Sequence, residues 1–521
     1  MSLLMGPVLS FRGYDVAAAR WNLTALVVTD TAPGNLSVTG QSTPVKAEAL
    51  WKVGNRTAYR YTFSLPVTAP TSAKNSNKTP IKTSTTATYK VLGKSYDVAV
   101  PVAGFAPTMA YASCNGFSSL KLIKSLKDKE PNALWKKMAA RHQAMPYHLL
   151  LLGGDQVYAD EMWEIDGQMK DWMDKSWADG NDAAATPTMR KWLDKFFFGL
   201  YTDRWAQPEV ADMLARIPTV AMWDDHDLMD GWGSYPVERQ TCPVFGAIWN
   251  SASKAFAVFQ QQLEDGALRP GAIGTTRPGK KLPITKGAFS YGYIVGSIAI
   301  LAVDMRSQRN VQDQVVGTEH WNEIYAWIDA LPVGVVHLIV MSSIPVIYPG
   351  FDTIETLLGL FPGHQDLEDD LRDHWNSPPH REERLRLIQR LLKIPETVRP
   401  LIVSGDVHIA ALGAVESTRP QTKQPVINQL ISSGIVHPGP GAVVLLALRN
   451  LFDSDQEVER GVVARMMKFP NSATKFIGNR NFLSLEPDTD RLRPRIWANW
   501  QVEGEEFELT KVIEPNPIGS A

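Results

Sequence analysis

Cysteine is nearly absent, with two residues, Cys114 and Cys242, in a chain of 521. A disulfide framework is excluded, and neither cysteine belongs to a C-x-x-C pair, so each must be judged from its own surroundings. Charge of one sign is equally scarce. The 53 Lys and Arg stand against 55 Asp and Glu, giving a net charge of -2 and a pI near 6.6. That balance argues against a general nucleic-acid or anionic-membrane surface. Long apolar runs are missing too, since stretches such as Val443 to Leu448 fall well short of the ~20 residues a membrane span needs. The opening MSLLMGPVLSFRGYD has no basic start, no small-residue cleavage site and no twin arginine. A soluble cytoplasmic protein is the expectation, or a periplasmic or secreted one if a leader has been removed.

What is present is ample core material. Hydrophobic residues make up 44% of the chain and include 16 Trp, which excludes disorder as the main state. The length predicts two or three folded units.

The first hundred residues read as short strands with period-2 or β-branched character: Leu23 to Thr29, Tyr59 to Leu65, Thr88 to Leu92 and Tyr96 to Val102. Polar turns separate them, including the Thr/Ser-rich stretch Pro66 to Thr86. This pattern predicts an N-terminal β-sandwich domain over 1–107. From there, short apolar runs alternate with helical patterns. The runs are Thr108 to Ala112, Tyr147 to Leu152, Thr219 to Trp223, Ile298 to Val303, Val335 to Met341 and Leu401 to Ser404. The helices include Ser118 to Lys127, Pro131 to Gln143, Met189 to Trp205 and Arg381 to Lys393. Such alternation implies an α/β catalytic domain over 108–500 with a sheet covered on both faces, followed by a tail, 501–521, packing on it or trailing from it.

In a sheet of this kind ligands gather beyond the carboxyl ends of the strands. Four runs end in metal-ligating residue types: YAS leads to Cys114, LLLLGG to Asp155, TVAMW to the cluster Asp224, Asp225, His226 and Asp227, and LIVSG to Asp406 and His408. One such string is weak evidence, whereas four at the same structural place are not. An Asp directly after four leucines and two glycines is a costly near-buried charge unless it is paired or metal-bound. Capping of a following helix is the ordinary alternative for Asp155 and Asp224, and a buried small hydrophobe for Cys114. Cys242 takes the latter reading outright.

The order and content of these strings, together with VDMRSQR at Val303 to Arg309, resemble the binuclear metallophosphoesterase (calcineurin-like) superfamily, and within it the PhoD-like alkaline phosphatase and phosphodiesterase group. The resemblance covers the chain from Thr108 to its C-terminal region. It implies a four-layer α-β-β-α sandwich and a metal-dependent hydrolase that opens phosphomonoesters or phosphodiesters with a metal-bound hydroxide at a two-metal site. The superfamily pattern is D-x-H, G-D-x-x-D/Y, G-N-H-D/E, a lone His and G-H-x-H. Here Cys114 stands for the opening motif, Asp225 for the Asn and Asp406 for the first His of the last motif, while Ser342 to Val346 holds no His at all. By resemblance, Cys114, Asp155, Tyr158 and His408 hold one metal, and Asp155, as a bridge, with Asp225 and Asp406 holds the other. Thiolate, phenolate and imidazole suit iron or zinc, and the carboxylate site suits calcium, magnesium or manganese.

His226 is placed to protonate the leaving oxygen, with Asp227 or Asp230 fixing its tautomer. Arg306 and Arg309 are expected phosphate contacts, because guanidinium matches phosphate in a bidentate fork. His142, His148, His320, His337, His364, His374 and His380 have no matching context, and His437 is left open. The segments Gly266 to Lys286 and Phe361 to Pro379 read either as pocket lids or as inert insertions, with Trp232, Tyr235 and Trp375 as candidate pocket linings. The expected partner is a small-molecule or polymer phosphate ester, with no specific nucleic-acid surface. Two rivals stand beside the hydrolase: a catalytically silent metal- or phosphate-binding protein of the same fold, and a metal-independent two-carboxylate glycosidase.

Overall fold

Four consecutive leucines, Leu149 to Leu152, can all be buried only in a strand covered on both faces, and a computed structural model of the chain places them there. It describes residues 2–70, 82–125, 130–348, 375, 378–441, 445–446, 448, 455–488, 491 and 493–517. The candidate segment Phe361 to Pro379 lies largely outside these residues, as do His364 and His374.

Two large sheets dominate. The ten-stranded sheet runs, edge to edge, Leu509–Ile513, Ile496–Val502, Asn481–Pro487, Met109–Ala112, Leu149–Gly153, Thr219–Met222, Leu3–Asp15, Arg20–Thr29, Arg56–Pro66 and Glu48–Val53. Its centre, from Met109–Ala112 through Leu3–Asp15, is parallel. The nine-stranded sheet runs Tyr291–Val295, Ile298–Ala302, His337–Ser342, Arg399–Ser404, Val426–Ser432, Ala410–Ser417, Val462–Met467 and Gln456–Glu459, with Phe476–Ile477 beside Ala410–Ser417. Here the parallel stretch is Ile298–Ala302 through Val426–Ser432. The central strands are continuous apolar runs, whereas the outer antiparallel Val462–Met467 alternates, burying Val462, Ala464 and Met466.

Alternation sorts the second sheet between two cores. Ile300, Ala302, Ile339, Met341, Leu401 and Val403 join the first sheet's leucines and the helices Pro187–Trp205, Pro208–Arg216 and Pro243–Phe259. Leu301, Leu338, Val340 and Ile402 point the other way, into a core with Trp321, Ile324, Leu387 and Leu391 from the helices Thr318–Asp329 and Arg381–Leu392. Each such aliphatic side chain contributes about 1.5–3 kcal/mol when fully buried.

The expected boundaries fare differently. A separate N-terminal domain over 1–107 is not what the hydrogen bonding draws, because Leu3–Asp15 pairs in parallel with Thr219–Met222, with Ser10 opposite Thr219. Among the described residues of this region, only Ser37–Val38, Ser84–Val91 and Lys94–Pro101 form a sheet of their own, and Tyr89 from it still donates to the Ala215 carbonyl at 2.7 Å. The strand Leu3–Asp15 escapes sequence reading because Gly6, Pro7 and Gly13 interrupt its pattern, and the pairing is shifted at those points. At the other end, Ile496–Val502 and the edge strand Leu509–Ile513 belong to the same sheet, so a break at residue 500 would cut a strand. Among the described residues no helix is long and apolar enough to cross a membrane.

Two histidines without a site role weaken this fold in acid. His148 accepts from the Thr108 amide at 2.9 Å and is pushed down to about 3 by burial, then by His142. Burial likewise takes His337 to about 4. Each is neutral when folded but charges near pH 6.5 when unfolded, so the unfolded state binds more protons between those values. The contribution of each histidine is therefore flat above pH 6.5 and falls below it by about 1.4 kcal/mol per pH unit. Denaturant midpoints measured from pH 8 to pH 4 should fall less steeply toward acid in His148→Gln than in the parent protein. A slope unchanged by that substitution would count against the assignment.

Candidate metal centre

The carboxyl ends of the parallel strands of both sheets meet. Cys114 follows Met109–Ala112, Asp155 follows Leu149–Gly153, and Asp224 and Asp225 follow Thr219–Met222. From the second sheet, Asp304 and Arg306 follow Ile298–Ala302, Ser343 follows His337–Ser342, Asp406 and His408 follow Arg399–Ser404, and Ser433 follows Val426–Ser432.

Local backbone strain marks the same place. Cys114, Asp155, Asp406 and His408 all hold left-handed φ, at 55°, 52°, 72° and 52°. A non-glycine residue there costs on the order of 1–3 kcal/mol, and such residues cluster where surrounding structure over-determines them. Gly154 prepares the turn, since its φ is 106° and a Cβ on it would lie 2.7 Å from the Asp224 Cβ. Gly116 gives the Tyr158 ring its room, for a Cβ there would meet the ring at 2.4 Å.

Buried acidic groups converge. Ligating atoms of Asp155, Asp225 and His226 lie within 4.8 Å of one another, as do those of Asp224, Asp225 and Asp406. Cys114 Sγ stands 3.4 Å from Asp155 Oδ2, and Tyr158 Oη stands 3.2 Å from His408 Nε2. Asp155 is 1% exposed, and its Oδ1 has no hydrogen-bond partner. Burial first, then Cys114, Asp224 and Asp225, pushes its carboxyl well above the usual range. Burial followed by Cys114 and Asp155 raises the Tyr158 phenol in the same way. A carboxylate cluster with an orphan oxygen, bordered by sulfur, phenol and imidazole, is a donor set that fits cations.

A family model described as PhoD related phosphatase matches residues 108–362 and 356–456, which hold this whole cluster. The chain belongs to the PhoD related phosphatase family. A curated relative, the uncharacterized protein YGR266W of Saccharomyces cerevisiae, is 26% identical over 456 residues, 72% of this chain. The match spans 64% of that relative's length. Among solved structures, one titled as the structure of PhoD superposes with a TM-score of 0.57 at 13% identity, covering 99% of this chain and 91% of its own, a likeness of fold. A dimetal phosphatase from Danio rerio reaches a TM-score of 0.35 at 7% identity, too distant to argue from.

Within this PhoD-related site, the expected residues divide. Cys114, Asp155, Tyr158, Asp225, Asp406 and His408 occupy one neighbourhood. His226 joins them, its ring stacked 4.4 Å from that of Tyr158. Its tautomer is set by neither Asp227 nor Asp230: the carboxylate on His226 Nδ1, at 2.7 Å, is Asp160, which also accepts from the Asp230 amide. Burial disfavours the charged ring, yet Asp160 and Asp225 outweigh it and raise His226 well above its ordinary value.

Asp227 faces the scaffold instead. It accepts from the amides of Gln156, Val157 and Asp224 and from Gln260 Nε2, tying two ligand loops to the end of the helix Pro243–Phe259. Burial pushes it to about 7. His437, undecided from sequence, stacks 3.7 Å from His408, its Nδ1 donating to the Pro438 carbonyl. Trp232 lies between Phe245 and Trp249, and Trp375 is fully buried, so both belong to the core rather than to a pocket wall.

Arg306 departs from its expected role as a phosphate contact. Fully buried, it pairs with Asp224 through Nε, reaches Asp225 Oδ1 at 3.3 Å and donates to the Trp232 carbonyl at 3.2 Å. Asp304 holds its loop by accepting from the Arg306 and Ser307 amides and from Trp223 Nε1. Arg309 is also buried, 3.5 Å from His380 Nδ1. Breaking a buried pair leaves an uncompensated charge, at about 3–5 kcal/mol. Arg306→Gln should therefore lower the stability of the metal-free protein by about that amount, and saturating divalent cation should restore part of it. Thermal melts with and without metal test this; equal losses in both conditions would contradict it.

Asp160 and Asp304 carried no signal that sequence reading used. Asp304 stands just before Arg306 at the end of an apolar run, so the strand-end rule applied to Asp155 would have reached it.

Proposed function

We propose that this chain hydrolyses phosphate esters, mono- or diesters, with the help of two metal ions. The observation that carries the reading is buried Asp155, with an oxygen lacking any hydrogen-bond partner, between Cys114 on one side and Asp225 and His226 on the other. Cys114, Asp155, Tyr158 and His408 would hold one cation, and Asp155, Asp225 and Asp406 the other, with Asp224 within ligand distance of the latter two. The donor chemistry favours iron or zinc in the first position and calcium, magnesium or manganese in the second. When bound, two such ions supply charge neutralisation at the phosphoryl oxygens and a water acidified to near-neutral pKa.

The chain's own residues do the rest. Arg306 and Ser343 hold Asp224 from below, the latter at 2.9 Å. The Gly231 amide anchors Asp225 Oδ2 at 2.8 Å. Asp160 fixes Nδ1 as a protonated nitrogen of His226, so Nε2 is the atom that holds or releases a proton toward the leaving oxygen. No protein nucleophile is needed. The two cores on either face of the second sheet likewise support the four-layer reading of the fold.

Elemental analysis combined with turnover of a chromogenic phosphodiester and monoester tests the proposal. About two metals per chain with chelator-sensitive hydrolysis are expected. Bound metal without turnover would favour a silent binding protein, and full activity after chelation would end the metal reading.

A further inference from the structure

Beyond the ligands themselves, one hydroxyl joins the two halves of the centre. Ser433 follows Val426–Ser432, is fully buried, and places Oγ 3.0 Å from Cys114 Sγ. The same oxygen accepts the His408 amide at 3.0 Å. Cys114 lies on a loop of the ten-stranded sheet and His408 on a loop of the nine-stranded one, so a single atom bridges ligand loops from both.

The proton count gives the bridge a direction. A serine hydroxyl has one proton and two lone pairs. The His408 amide takes one lone pair; with Cys114 a metal-ligating thiolate, which has no proton to give, the hydroxyl's own proton has Cys114 Sγ as its acceptor. Such a contact suits a thiolate, which has no proton to offer and several lone pairs to share. Ser433 is not free to swing elsewhere: its carbonyl accepts from Asn481 Nδ2 at 2.9 Å, and its neighbour Ser432 donates to Asn481 Oδ1 at 2.6 Å. The strained backbone of Cys114 and His408, both left-handed, is thus pinned from one side by one residue.

We infer that Ser433 is a positioning residue that donates its O–H to the Cys114 thiolate and so tunes the donor strength of that sulfur toward its metal. This rests on the reading of Cys114 as a ligand. Hydrogen bonds to a ligating sulfur withdraw electron density and are a known lever on metal affinity and potential, with outer-shell partners worth about 10–100-fold in affinity.

The test uses the full chain, stripped with chelator and reloaded with Co(II) as a spectroscopic probe. The wild type should show a thiolate-to-cobalt charge-transfer band, absent in Cys114→Ser. Ser433→Ala should move that band to lower energy, whereas Ser433→Thr, which keeps the hydroxyl, should leave the band in place. In the wild type alone, exchange into D2O should shift the metal–sulfur stretch in the resonance Raman spectrum, a measurement that decides the matter even if Ser433→Ala fails to fold. A wild-type band with no D2O sensitivity overturns the inference while leaving Cys114 as a ligand. No thiolate band in the wild type overturns both.

Discussion

Asp155→Asn should reduce phosphoester hydrolysis by at least about 10^3-fold, a loss of about 4 kcal/mol at 1.36 kcal/mol per decade. The substitution keeps the shape and removes the charge from the residue at the centre of the cluster, between Cys114 and the Asp225 and His226 side chains. Its carboxyl is held above the ordinary range by burial and by negative neighbours, so cations bound here would relieve unfavourable interaction. Metal content should fall with activity. The same substitution should raise or leave unchanged the stability of the metal-free protein, since it relieves repulsion from Asp224 and Asp225. Steady-state kinetics, elemental analysis and thermal melts separate these effects. An Asp155→Asn protein that retains both metals and wild-type turnover would sink the two-metal reading.

Asp160→Asn should lower kcat by about 10^2–10^4-fold, the range typical of a positioned acid or base. Asp160 meets the cluster through His226, its carboxylate 2.7 Å from Nδ1, and supports the imidazolium. Replacing it with an amide offers the ring a donor as readily as an acceptor, which lets the wrong tautomer form. His226→Asn should cost a similar factor. Because the two act as one unit, the double variant should be no slower than the worse single one. Metal content should stay near two per chain in Asp160→Asn, which distinguishes a lost proton-handling role from a lost ligand. Multiplicative losses in the double variant would show that the residues act separately.

The cluster was readable because each member follows an apolar parallel strand. Asp155, Asp225 and Asp406 each come within three residues of such a run, and strands buried on both faces announce themselves by uninterrupted Leu, Ile and Val. Cys114 was readable for the same reason, with Gly116 just beyond it. Two other residues show what a strand end does not tell. Asp160 lies between the Asp155 loop and a short helix, with no strand before it to mark it. Arg306 follows a strand as the ligands do, and only its burial against Asp224 and Asp225 tells a supporting guanidinium from a phosphate contact.

Domain organisation divides in the same way. Period and composition announced strands in the first hundred residues, because side-chain alternation is local. Membership of a sheet is not local: the hydrogen bonds between Leu3–Asp15 and Thr219–Met222 join segments some two hundred residues apart, and no pattern within either one specifies the other. So the residue types, the strand ends and the family of this protein were decided along the chain, by chemistry that needs only neighbours. Which carboxylate stands on His226, which hydroxyl faces Cys114 and where one sheet ends were decided by folding, because each is a contact between residues distant in sequence.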